Sequence, residues 1–213
     1  MNEDLDTVKK QDRRRHGKPD GYHHGDLRAA LIAAATLCLR ERGVDGFSLR
    51  EAARRAGVSP AAPQHHFGDA RGLLTAVATQ GFRKLGNALA DADAETVDRT
   101  ERIRGQGRAY LRFALGHPAE FDTMWRCARI DTAEPSYKES SRRAFGLLEA
   151  AVAGRPYEPQ SPLPGEADPR AVACWSLVHG LARLALDGVF GPPDVAEAAI
   201  DGMLGPVMDC LVV

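Results

Sequence analysis

The chain has 213 residues, 44% of them hydrophobic and 27% charged, with a formal net charge of −1. That composition excludes a disordered or fibrous chain, and no apolar run approaches the ~18 residues needed to span a bilayer. The charge is unevenly placed. Residues 1–90 hold 15 Lys/Arg and 10 Asp/Glu, and residues 91–213 hold 13 and 19. A basic front and an acidic back suit a protein that presents one end to phosphates.

Residues 1–20 are polar, lack apolar periodicity and include Lys9, Lys10, Arg13, Arg14, Arg15 and Lys18. They read as a disordered basic tail, either a solvated leader or an arm adding minor-groove or phosphate contacts. Leu27, Leu31, Ala34 and Cys38 fall at i, i+4, i+7 and i+11. This stripe predicts a helix from about His24 to Arg42, ended by Gly43.

Ser48 to Phe67 predicts two short helices joined by a tight turn, with polar and basic residues on the second. That is the layout of a helix-turn-helix, whose second helix enters the DNA major groove. Ser48 and Glu51 have capping-box spacing. Leu49, Ala52, Ala53 and Ala56 supply the inner face, and Gly57 takes the positive φ at the turn. Val58 fills the apolar corner. Ser59 is expected to cap the second helix with Pro60 at its first position. Pro63 falls near the fourth position and predicts a short or irregular helix. Phe67 anchors its end, and Gly68-Asp69 cap a further helix starting near Arg71. Taken alone, any helical hairpin with a glycine turn reads the same way.

Leu74, Ala78, Phe82, Leu85 and Leu89 mark this fourth helix, which follows the second helix of the pair directly and is expected to run into a second domain. Ile103, Gly107, Tyr110 and Ala114 keep the helical period. His117-Pro118 then breaks the chain before a helix carrying Phe121, Met124, Trp125 and Ala128. Ser136 to Ala153 reads as another helix, and Pro156, Pro159, Pro162 and Pro164 predict a loop. From Pro169 to about Phe190 a long helix shows two apolar stripes. One is Trp175, Val178, Ala182, Ala185 and Val189; the other is Leu177, Leu181 and Leu184. So wide an apolar surface predicts burial against both its own core and a second copy, a wholly intramolecular core being the alternative. A last helix, Asp194 to about Leu211 with a kink at Gly205-Pro206, would complete a four-helix bundle across a two-fold axis.

Phe47 to Leu74 resembles the DNA-binding region of the TetR family of transcriptional regulators. The carrying residues are Leu49, Ala52, Ala53, Ala56-Gly57-Val58-Ser59, His66-Phe67, Asp69 and Leu73-Leu74, with an upstream helix beginning Tyr22-His23-His24-Gly25-Asp26-Leu27-Arg28. Ala173 to Leu181 resembles the Trp-x-x-x-His-Gly signature of a C-terminal subgroup of that family. The resemblance implies an all-α homodimer that binds a small effector in its C-terminal domain. It departs at Gln64, where the family usually has a phosphate-touching Tyr, and at Ala70, where Lys is usual. Arg71 stands next to the missing Lys.

The expected architecture is therefore all-α, with about nine helices. A basic tail (1–20) precedes a helix-turn-helix domain (21–70) and a helical ligand-binding and dimerisation domain (71–213). Base readout is expected from Ala61, Ala62, Gln64 and His65, Gln64 having the amide to pair with adenine. Ser48, Arg50, Ser59, His66 and Arg71 are expected at phosphates. His65-His66 also reads as a surface pair with no partner. Tyr110, Phe113, Phe121, Met124, Trp125, Phe145, Trp175 and His179 are candidate ligand contacts, although aromatic stripes at this spacing usually form core.

The function these features predict is a cytoplasmic, homodimeric repressor. It binds a pseudo-palindromic double-stranded DNA operator and is released by a small molecule, with dimerisation through the last two helices and no membrane association. Cofactor, metal and catalytic residues are expected to be none. Cys38, Cys127, Cys174 and Cys210 are scattered, with no Cys-x-x-Cys, and read as buried reduced thiols. A redox-responsive regulator is one alternative. A metal-responsive one is another, although His23-His24 and His65-His66 are adjacent pairs rather than the i, i+4 spacing a helix needs to chelate. A helical enzyme is a further alternative, without any Ser/His/Asp arrangement, phosphate loop or paired carboxylates to support it, and an activator in place of a repressor fits the same residues.

Overall fold

The computed structural model describes residues 24–159 and 168–192 and scattered positions from 195 to 206. The basic tail, most of the expected last helix and Cys210 lie outside the described residues. Eight helices and no strand are present among those described: α1 (His24–Arg42), α2 (Leu49–Arg55), α3 (Ala62–Phe67), α4 (Ala70–Ala94), α5 (Arg99–Gly116), α6 (Pro118–Met124), α7 (Pro135–Ala153) and α8 (Pro169–Leu186).

The first three helices form the helix-turn-helix unit. Ser48 caps α2, its hydroxyl accepting from the Glu51 N–H at 3.4 Å. The reciprocal half of the expected capping box is absent. Glu51 instead accepts from Arg54 (2.8 and 2.9 Å) and from Arg55 Nε (3.0 Å). These hydrogen bonds, Arg54 first, pull its carboxyl down to about 2. Arg55 also forks onto Glu41 of α1 at 2.7 and 2.5 Å. The guanidinium is therefore an internal strut between α1 and α2. Gly57 has φ +70° and reverses the chain.

The start of α3 differs from the sequence expectation. Ser59 does not cap it, and Pro60 lies in the preceding turn. Pro63 has no N–H to give the Ser59 carbonyl, so that carbonyl is met by Ala62 N–H instead, at 3.0 Å. The helix begins at Ala62 after Ala61, with buried Pro63 in its first turn, where the missing donor leaves nothing unpaired.

Helix α4 is the centre of the fold. Asp69 caps it by accepting from Gly72 N–H at 2.8 Å. The predicted stripe is fully internal, with Leu74, Ala78, Phe82, Leu85 and Leu89 each no more than 2% exposed. Burying each large member stabilises the fold by roughly 1.5–3 kcal/mol. Helices α1, α3, α5, α6 and α7 all pack on α4. His117, in non-helical backbone before Pro118, ends α5 and turns the chain into α6. Glu134 and Asp168 cap α7 and α8, each followed by a proline at the first helical position.

Polar ties cross this core. Gln106, 1% exposed, donates to Asp93 at 2.8 Å and to the Leu147 carbonyl at 3.2 Å, joining α5 to α4 and α7. Arg102 forks onto the same Asp93. The Tyr110 hydroxyl and His179 Nδ1 lie 2.9 Å apart, joining α5 to α8. His179 stacks on Phe121 (centroids 5.3 Å) and meets Trp125 edge-on. Burial, and then Arg183, lowers the His179 pKa, and burial raises that of Tyr110.

Helix α8 ends at Leu186, four residues before the expected Phe190, because the chain turns through Asp187 and Gly188 (φ +79°). Val189 is consequently off the helical stripe and 62% exposed. Cys38 and Cys174 are buried, and burial raises both thiol pKa values. Contrary to expectation Cys127 is exposed, because it lies in the turn after α6 rather than on a helix face.

A Cβ built on Gly72 would sit 1.9 Å from the Phe67 carbonyl oxygen, which is backbone and cannot give way cheaply. Gly72→Ala should therefore cost about 1–3 kcal/mol or more and lower the melting temperature. Gly105→Ala, inside α5 with nothing nearer than 3.6 Å, should be neutral or stabilising by up to about 1 kcal/mol. Equal melting temperatures for the two variants would refute the tight corner. The lowered His179 pKa carries a second prediction. As pH falls below the unfolded-chain value of ~6.5, the unfolded chain takes the proton first, so stability present above that pH is lost. His179→Asn should show a smaller loss between pH 7.5 and 5.5 in thermal melts; an unchanged loss would count against it.

Candidate nucleic-acid interface and ligand cavity

The exposed side of the helix-turn-helix unit carries Arg50, Ser59, Ala61, Gln64, His65 and Arg71. Ser48, Ala62 and His66 are half-buried. Ala61 and His65 are one helical turn apart, with Gln64 beside them, so they share the outer face of α3. Pro63, on the opposite face, is buried. Arg28 of α1 holds its guanidinium 5.2 Å from the centre of the Phe67 ring, bracing the end of α3 from behind. Arg50 and Arg71 make no ion pair among the described residues, whereas Arg54 and Arg55 are taken up by Glu51 and Glu41. The side chains at hand are therefore two unpaired guanidinium groups, an amide, an imidazole and methyl groups. That set suits phosphates and base edges.

A cavity of about 430 Å³ opens between α4, the α6–α7 segment, α7 and α8. Phe82, Trp125, Phe145 and Trp175 form its aromatic wall, with Tyr137 and Val172 beside them. Phe82 meets Trp125 edge-on at 5.2 Å, and Trp125 meets Trp175 at 6.0 Å. Burial pushes the Tyr137 phenol up to about 12, and its hydroxyl donates to the Met124 carbonyl at 3.2 Å. Thr132, Lys138 and Arg142 are exposed and Ser141 is half-buried, which sets them at the mouth of the cavity.

Of the candidate ligand contacts, Trp125, Phe145 and Trp175 line this cavity. Tyr110 instead borders a much smaller inner void with Trp175. Phe121 and Met124 are wholly buried, and His179 sits among the core aromatics. Phe113 faces a separate groove between α4 and α5. Phe82, Thr132, Tyr137, Lys138, Ser141, Arg142 and Val172 were not among the expected ligand contacts. Their signal is faint: Lys138, Ser141, Arg142 and Phe145 recur at helical spacing on α7, which also describes an ordinary solvated face.

Two sets of hydrogen bonds join the cavity region to the helix-turn-helix unit. Arg129, between α6 and α7, donates to the Val44 carbonyl (3.3 Å) and to Asp45 (3.2 Å) in the α1–α2 turn. Asp131 N–H donates to Thr75 Oγ1 at 2.8 Å, and that hydroxyl donates to the Arg71 carbonyl at 2.7 Å, in the first turn of α4. Thr132, the next residue, is already at the cavity mouth.

Comparison with known proteins bears on both halves of the chain. A family model described as "Bacterial regulatory proteins, tetR family" matches residues 31–77. One described as "Tetracyclin repressor-like, C-terminal domain" matches residues 103–206. The HTH-type transcriptional regulator BetI of Paraburkholderia phymatum is 36% identical over 95 residues, which are 45% of this chain and 44% of that protein. The chain thus aligns with less than half the length of the curated relatives it matches. A solved protein of unknown function from Rhodococcus sp. RHA1 is 32% identical, with 88% of this chain and 97% of that one covered and a TM-score of 0.67. The TetR family transcriptional regulator PfmR from Thermus thermophilus shares the fold at 19% identity, covering 84% of this chain and 97% of that one, TM-score 0.62. Both the helix-turn-helix and the helical remainder thus match models of one family, and the chain belongs to the TetR family.

Proposed function

We propose that the protein is a homodimeric, DNA-binding transcriptional repressor rather than an enzyme. In this reading the first domain ends near residue 70. The outer face of α3 reads the major groove of a pseudo-palindromic operator, and the 430 Å³ cavity takes a small-molecule effector. The observation that carries the reading is the polar, unpartnered face of α3 joined through α4 to a cavity wall. Ala61, Gln64 and His65 are the base readers, with Ala62 at the edge of that surface. Ser48, Arg50, Ser59, His66 and Arg71 lie toward the phosphates.

The second copy docks on α8 and the segment that follows. Val178, Ala182 and Ala185 face the protein's own core. Leu177 and Leu181 are half-buried, and Leu184 is 44% exposed. That second stripe is the natural seat for the two-fold partner. Dimerisation then sets the recognition helices about 34–36 Å apart, one turn of DNA. An effector releases the operator by favouring an arrangement in which they no longer match. It must bind the DNA-free state better by the same factor it imposes on DNA.

Selection from a random duplex library, followed by salt titration of the winner, tests the DNA reading. A palindromic sequence should be enriched. Arg50→Ala should weaken binding evenly across sequences and lower the salt slope by about 1. Gln64→Ala should cost about 1–3 kcal/mol and relax preference at one base position in each half-site. No enriched sequence, or binding that both variants share with the wild type, would overturn it. For the dimer, Leu184→Glu should convert a dimer to monomer in sedimentation at micromolar concentration. A persisting dimer would remove α8 from the interface.

A further inference from the structure

The mouth of the cavity differs in chemistry from its floor. Lys138 and Arg142 lie one turn apart on α7 and both line the opening, with Ser141 and Thr132 adding hydroxyls. Among the described residues, no Asp or Glu lines the cavity. Neither cation makes an ion pair among the described residues. The neighbouring basic groups behave differently: Arg143 donates to Asn87, Arg155 pairs with Glu149, and Arg183 with Asp122 and Asp187. Deeper in, the wall is aromatic, and Trp125 Nε1 is buried without an acceptor. An apolar interior ending in two unmatched cations and two hydroxyls is complementary to a molecule with an apolar body and an anionic head.

We propose that the ligand of this cavity is an amphipathic carboxylate. Its aromatic or aliphatic body sits against Phe82, Trp125, Phe145 and Trp175, and its acid group is held by Lys138 and Arg142. The inference rests on reading this cavity as the effector site. An aromatic wall by itself would also welcome an organic cation. The two basic side chains, the only charged groups among the described lining residues, argue against one, because like charges at the mouth repel it. Arg142 supplies a planar fork matched to a carboxylate, and Lys138 adds a second charge one turn away.

The chain has two tryptophans, Trp125 and Trp175, and both line the cavity. Intrinsic fluorescence therefore reports its occupancy directly. The full chain would be titrated with octanoate and 4-phenylbutyrate, with octanamide as the neutral match and octyltrimethylammonium as the cationic one. The carboxylates should bind at least about tenfold more tightly than either and weaken as salt rises. Lys138→Gln/Arg142→Gln, two exposed positions, should erase that preference while leaving the octanamide affinity unchanged. Neutral or cationic probes binding as tightly, a double variant that keeps the preference, or no quenching by any probe would each overturn the proposal. The same ligands would be added to the protein–operator complex. Tight, charge-selective binding with no change in operator affinity would uphold the ligand class and defeat the effector reading instead.

Discussion

Helix α4 is the constraint on which the rest depends. Twelve of its 25 residues are buried, and five other helices are seated on it. Its first turn is locked to the recognition helix by the Asp69 cap and by the close approach of Gly72 to the Phe67 carbonyl. Ten residues along, Phe82 is part of the cavity wall. A helix is stiff over that length, so displacement at one end is delivered to the other rather than absorbed between them. The α6–α7 segment runs beside it as a second connection. Arg129 grips the α1–α2 turn, and Asp131 grips Thr75 of α4.

The helix-turn-helix unit is also tied internally. Arg55 spans Glu41 and Glu51, and Arg28 lies over Phe67. Surface ion pairs of this kind contribute little stability individually, commonly about 0–1 kcal/mol. Their value here is orientation. They tie α1 to α2 and to α3, while Arg50 and Arg71, both exposed, make no ion pair among the described residues. The geometry divides the arginines of the unit into struts, Arg28 and Arg55, and outward-facing side chains, Arg50 and Arg71.

Much of the architecture was legible because burial imposes period. The stripe Leu74, Ala78, Phe82, Leu85, Leu89 marks α4, and Pro169 marks the start of α8. What sequence reading missed has local causes. The start of α3 shifted because a proline acts on the carbonyl four residues earlier, so Pro63 governs Ser59 rather than its own surroundings. The end of α8 was set by the positive φ of Gly188, where apolar spacing ran on to Val189 and Phe190. In the C-terminal half, aromatic spacing separated neither core from cavity nor wall from mouth. Tyr110, Phe121 and His179 share their period with Trp125 and Trp175, yet only the latter two line the large cavity. Lys138 and Arg142 carry the signature of any solvated helix face, and only the packing of α4 and α8 nearby gives them a cavity to border.

The corner between α3 and α4 has room for a hydrogen on Gly72 and for nothing larger. Only Gly68 and Asp69 separate the two helices, and α3 cannot be pressed closer to α4 without moving the start of α4. In a two-fold dimer the distance between the two heads is then most simply adjusted as a block, by tilting the whole N-terminal unit against the body. The half-site spacing of an operator is then a ruler for the body's posture. DNA sites differing only in that spacing would sort the protein's conformations by length, each duplex capturing the posture that fits it.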